Sequence, residues 1–145
     1  MKHFVPCVEQ LDRAASELRE GTPVSSRLAL ILTDNIVELV AHRKCQSIFN
    51  SKGAPYLRDV DDGTYSRIAR HRVLGQHFDE KNKFLLREGE ITHPEFEFIR
   101  ICHGIRGEAY HSGLTHEEIM LPLAWEYHKL ACDLFSRLRT GSRVY

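Results

Sequence analysis

The chain has 145 residues, 42% apolar and 28% charged, with 20 basic side chains against 20 acidic ones. That is the balance of one soluble globular domain spanning residues 1–145 and long enough to bury its own core. A formal net charge of zero excludes a global positive field, so a nucleic acid would have to be met by a local groove.

The first residues, MKHFVPCVEQLDR, lack the apolar stretch of a secretory leader. No apolar run reaches the roughly 20 residues needed to cross a bilayer. The greasiest stretch, LALILTDNIVELVA, is interrupted by Asp34, Asn35 and Glu38. The four cysteines, Cys7, Cys45, Cys102 and Cys132, are far apart and form no CxxC pair. They read as buried reduced thiols of a cytoplasmic protein, with no membrane association.

In chain order the pattern is helical almost throughout, with no run of period-two alternation. Val8, Leu11, Ala15 and Leu18 recur at three-four spacing, and Gly21 follows as a stop. Thr22-Pro23 reads as an N-cap with proline at the first helical position. A long second helix follows, with Leu28, Ile31, Leu32, Ile36, Leu39 and Val40 on one face, and is expected to run to about Asn50. NSKGAPYLRDVDDGT carries Gly, Pro and Asp-Gly signals and reads as a loop. A third helical region is expected from Tyr65 to Arg87 with an interruption near Gly75, and a fourth helix from Thr92-His93-Pro94-Glu95 to Gly113. Thr115-x-x-Glu118 is a capping-box pattern for a fifth, running to about Leu138 with a kink at Pro122. The expected fold is an all-α bundle of four to five helices, two of them long.

Two R-x4-H pairs occur, Arg72–His77 and Arg106–His111, where chance alone gives roughly one. The first lies in RIARHRVLGQ, which reads as an ordinary charged helix face. On a helical wheel of the fourth helix, Phe98, Ile101, Cys102, Ile105 and Ala109 fall within about 100° and read as the core face. Arg100, His103, Arg106, Gly107, Tyr110 and His111 share an arc of about 140° opposite. Phe96 and Ile99 lie on that polar arc, which is the pattern expected if a second subunit covers it. Asp34, Asn35 and Glu38 read either as a buried polar network or cap of a neighbouring element, or as neighbours of a site. Trp125 and Tyr127 read as core or interface.

The segments SRLALILTDNIVEL and IRGEAYHSG resemble the HEPN superfamily of prokaryotic all-α domains. That family is similar in its long second helix with an embedded D-N-x-x-E and in an R-x(4–6)-H signature near the end of a later helix. The resemblance covers most of the chain in order and spacing. It implies a HEPN-like bundle and a metal-independent endoribonuclease, acting as a toxin or an antiviral defence effector. It also implies a homodimer and a restraining partner, such as a nucleotidyltransferase antitoxin. Carried over by position, Arg106 and His111 are the catalytic pair. Arg100, His103 and Tyr110, on the same polar arc, are the neighbouring substrate-binding candidates, with a plain surface role the alternative for Arg100 and His103. The chain departs from the family at Gly107, where a polar residue, usually Asn, is common. It departs again at Gly113, where some toxins carry a tyrosine that the antitoxin modifies.

The chemistry fits these residue types. RNA cleaves when its 2′-hydroxyl attacks the adjacent phosphorus, which needs a base, an acid and positive charge against the phosphorane. Histidine titrates near neutrality, and a guanidinium stays charged and binds phosphate in two parallel hydrogen bonds. No metal-ligand spacing is visible along the chain and no cofactor is expected. One histidine cannot easily serve as both base and acid, which favours a two-fold dimer sharing one cleft. The competing reading is a HEPN-like module without catalysis that dimerises or binds a nucleotide or partner; Gly107 and the neutral charge favour it.

Overall fold

The computed structural model describes residues 4–56, 67–112 and 117–139, with side chains for 4–51, 70–108 and 117–139. These residues form six helices: α1 Val5–Glu20, α2 Pro23–Tyr56, α3 Arg67–Val73, α4 Phe78–Arg87, α5 His93–Ser112 and α6 Glu117–Arg139. No strand occurs among them. No helix is long and apolar enough to cross a membrane among the described residues.

α2 is the axis of the bundle. Its 34 residues give a rod of about 50 Å at 1.5 Å per residue. α1 and α6 pack along it, and α4 and α5 cover another part of its surface. The start of α2 is fixed locally. Thr22 Oγ1 accepts from the Ser25 N–H at 3.1 Å, and the Thr22 N–H donates to Ser25 Oγ at 2.8 Å, a reciprocal cap behind Pro23. Just before it, Gly21 ends α1 at φ 68°, a left-handed conformation that glycine adopts without steric cost. The expected stop and start therefore hold at this turn.

Other boundaries differ from expectation. α2 runs through Gly53 and Pro55 to Tyr56, into the stretch expected to be loop; 57–66 lie outside the described residues. Pro55 has no N–H to give to the carbonyl four residues back, and the described helix ends one residue later. The expected third region divides at Leu74–His77 into α3 and α4, which raises the described helices to six. Extended backbone at His77 (φ −85°, ψ 106°) resets the chain direction. Thr92 and Glu95 cap α5 reciprocally: the Thr92 N–H donates to Glu95 Oε1 at 2.8 Å, and the Glu95 N–H to Thr92 Oγ1 at 3.3 Å. Arg137 of α6 donates to the second oxygen of Glu95 at 2.7 Å, tying α5 to α6. α6 carries Pro122 within its second turn. Thr115, the expected cap of α6, lies outside the described residues.

The core joins Leu11 and Leu18 of α1, Leu30, Ile36, Val37 and Phe49 of α2, Phe84 and Leu85 of α4, and Met120, Tyr127 and Leu134 of α6. Phe49 and Phe84 stack with centroids 4.8 Å apart. Cys7, Cys45 and Cys102 are buried, Cys132 is half-buried, and none of the four is in a disulfide. Burial pushes the Cys45 and Cys102 thiols up to about 12, so they act as small apolar residues.

The buried face of α5 is a correction. Phe96 and Ile99 lie in the core of the chain itself, 8% and 1% exposed, whereas Ile101, expected inside, is 51% exposed. The inward face is rotated by about 100° from the wheel's apolar centre. Phe96 and Ile99 therefore give no sign of a covering subunit. The cause lies on α2, where a buried carboxylate draws the polar side of α5 inward.

Candidate functional site

Asp34 sits in the middle of α2 with no solvent exposure. A buried carboxylate is costly unless it is paired and hydrogen-bonded. Here the Tyr127 hydroxyl of α6 donates to Oδ1 at 2.7 Å, and His103 Nδ1 of α5 meets Oδ2 at 2.8 Å. Arg106 Nε approaches the same Oδ2 at 3.7 Å. Asp34 thus gathers α2, α5 and α6 at one point, and residues 34, 103 and 127 meet only through the fold.

Asn35 and Glu38 extend the cluster towards the surface. The Arg106 guanidinium donates to Asn35 Oδ1 at 3.4 Å, and Glu38 Oε1 lies 3.5 Å from His103 Nδ1. Asp34 is the buried anchor of a polar network with Tyr127 and His103, Glu38 is half-buried at its edge, and Asn35 is exposed beside Arg106. Phe78 packs on the His103 ring with centroids 4.8 Å apart. Lys81 of α4, only 6% exposed, donates its ammonium to the Gly75 carbonyl and contributes positive charge near Glu38. Nothing in the sequence singled out Lys81; a lysine in a helix ordinarily faces water.

Proton affinities follow this arrangement. The hydrogen bond to Asp34 raises His103 above its ordinary value, against the opposing effect of burial, and Glu38 adds to the rise. Desolvation lifts Glu38 above the usual carboxylate range, helped by repulsion from Asp34. Burial, then Lys81 and Arg43, lower His42 and favour its neutral form.

Of the five site residues expected from the sequence, three have described side chains. Arg106 is half-buried against Asp34 and Asn35, with Nε buried and lacking a hydrogen-bond partner. His103 is turned to Asp34 and Glu38. Arg100 is exposed and paired with Glu97 at 3.3 Å. The side chains of Tyr110 and His111 lie outside the described residues. The backbone places His111 in the last turn of α5, about 7.5 Å along the axis from Arg106. Arg72, from the rejected pair, makes a surface contact with Glu80 at 3.5 Å.

Metal-ligand spacing, invisible along the chain, arises in space. Asp34, Glu38 and His103 offer ligand atoms within 4.8 Å of one another. Their donors suit a divalent cation in type, but Arg106 and Lys81 stand beside them. Arg106 and Lys81 already offset the two carboxylates, which weakens the pull on a further cation. Asn35, Glu38, Leu39, His42, Gln76, Phe78 and Lys81 line an open cleft of about 380 Å³ beside this cluster.

No family model, curated protein or solved structure matches the chain.

Proposed function

We propose that the chain is a HEPN-type, metal-independent endoribonuclease that acts as a toxin or antiviral defence effector. The observation that supports this is the meeting of the two segments on which the resemblance rests. Arg106, from IRGEAYHSG, lies against Asp34 and Asn35, from SRLALILTDNIVEL. Asp34 and Asn35 hold one edge of the guanidinium, and no other partner occupies it among the described residues. An arginine anchored in this way is preorganised to receive a phosphate.

In the proposed reaction His111 takes the 2′-hydroxyl proton, and that oxygen attacks phosphorus. The P–O5′ bond breaks, and a histidine returns a proton to the leaving oxygen. Arg106 stabilises the charge that develops on the phosphorane. A homodimer supplies the second histidine, so that base and acid are separate groups. RNA and an antitoxin or regulatory protein are the partners this reading calls for.

A non-catalytic HEPN-like module is the second reading, and Gly107 favours it. Expression of the wild type and His111→Ala separates the two. Growth arrest with RNA fragmentation by the wild type alone supports the ribonuclease; the same phenotype from both proteins, or from neither, removes it.

A further inference from the structure

The cleft beside Arg106 has a composition that the cleavage reaction does not use. Asn35, Glu38, Leu39 and His42 stand at i, i+3, i+4 and i+7 and so share one face of α2. Gln76, Phe78 and Lys81 form the facing wall. Its volume, about 380 Å³, falls within the range of about 300–1,000 Å³ typical of small-ligand sites. Leu39 and Phe78 give it apolar surface, and the other five residues give it hydrogen-bonding groups. The cleft is continuous with the catalytic region: Asn35 lines it and also accepts from Arg106, and Glu38 lines it and also meets His103.

We infer that this cleft is a nucleobase subsite selective for guanine, holding the base on the 5′ side of the phosphate that Arg106 binds. This rests on the ribonuclease reading of the Arg106 site. The selectivity follows from Glu38. A carboxylate only accepts hydrogen bonds, and it accepts two neighbouring ones side by side. Guanine alone among the four RNA bases presents two adjacent donors, N1–H and N2–H, on its Watson–Crick edge. Adenine and cytosine each offer an amino donor beside an acceptor, and uracil offers one donor between two acceptors. Those acceptors would face the carboxylate and be repelled. The Lys81 ammonium, with N–H groups beyond the one given to Gly75, and the side-chain amides of Asn35 and Gln76 can donate to guanine O6. Single-stranded RNA is read in this way, by splayed bases whose edges meet fixed polar groups.

The test uses the full chain and the 3′-monophosphates of guanosine, inosine, adenosine, cytidine and uridine, titrated by calorimetry. Guanosine 3′-monophosphate is expected to bind at least about tenfold more tightly than the other three standard nucleotides. The inosine form, which lacks only the N2 amino group, is expected to bind about tenfold more weakly than the guanosine form. Glu38→Gln is expected to abolish the preference. Equal binding of the four standard nucleotides, or of inosine and guanosine forms, overturns the proposal, and the inosine comparison needs no variant. Mapping cuts on an RNA containing all sixteen dinucleotides separates the two claims. Cleavage without preference for the 3′ side of guanosine removes the subsite and leaves the ribonuclease. Guanine-selective binding with no cleavage leaves the subsite and removes the ribonuclease.

Discussion

Replacing Asp34 with alanine removes the group on which three helices converge. Two hydrogen bonds go with it, from Tyr127 at 2.7 Å and from His103 at 2.8 Å, together with the approach of Arg106 at 3.7 Å. Tyr127 is fully buried, so its hydroxyl is left without an acceptor or water, at a cost of about 1–3 kcal/mol. Loss of one partner from a buried charge pair typically costs about 3–5 kcal/mol in all. His103 and Arg106 are 37% and 30% exposed and can turn partly to water, which places the total near the lower end, about 3 kcal/mol. Such a loss is a large part of the roughly 5–15 kcal/mol that holds a domain together. Urea unfolding followed by circular dichroism reads it directly. His103 supplies an internal check. Its folded pKa is raised above the ordinary 6.5, so its contribution is fully present below about pH 6.5 and is lost as pH rises through the folded value. The stability gap between wild type and Asp34→Ala should therefore narrow as pH rises through that range. A loss under about 1 kcal/mol, or a gap that widens with pH, refutes the claim that Asp34 organises the site.

Ile99→Asp should unfold the chain or cost more than about 3 kcal/mol, because Ile99 is 1% exposed within the core; a folded variant with wild-type melting would contradict the burial. Glu95→Ala should cost about 1–2 kcal/mol by removing the cap of α5 and its link to Arg137. Burial opposes ionisation of Glu95, but the Thr92 N–H and Arg137 outweigh it and hold the carboxyl below its ordinary 4.5. Its contribution is thus present above about pH 4.5 and is lost as pH falls through the folded value, which acid titration of wild type against variant checks. A Cβ at Gly107 meets open space, so Gly107→Asn should fold with unchanged or slightly higher melting temperature. It restores the polar residue common in the resembled family and should raise RNA cleavage; lower activity in a folded variant would count against the carry-over.

Local chemistry was legible wherever one turn of chain decides the outcome. Gly21, Thr22 and Pro23 specify a stop and a start through backbone conformation and neighbouring hydroxyls, and the turn forms as read. Thr92-His93-Pro94-Glu95 opens α5 for the same reason. The orientation of α5 was not legible. A wheel weighs apolar residues by their own faces, but Asp34 on another helix needs donors. Satisfying it turns His103 and Arg106 inward and leaves Ile101 outside. Asp34, Asn35 and Glu38 did stand out as polar breaks in an apolar helix, and the fold brings them against His103 and Arg106. Tyr127 was read as core or interface and is buried, but nothing marked its bond to Asp34, 93 positions away, and nothing marked Lys81, whose bond to Gly75 forms across the α3–α4 turn.

The ribonuclease account is tested most directly by incubating purified wild type, Arg106→Ala and His111→Ala with a defined RNA in excess EDTA and analysing the product ends. The account predicts cuts by the wild type alone, leaving 2′,3′-cyclic phosphate, and resistance of RNA carrying a 2′-deoxy substitution at the scissile nucleotide. Cleavage by both variants at the wild-type rate, or activity that disappears with EDTA and returns with magnesium, would contradict it.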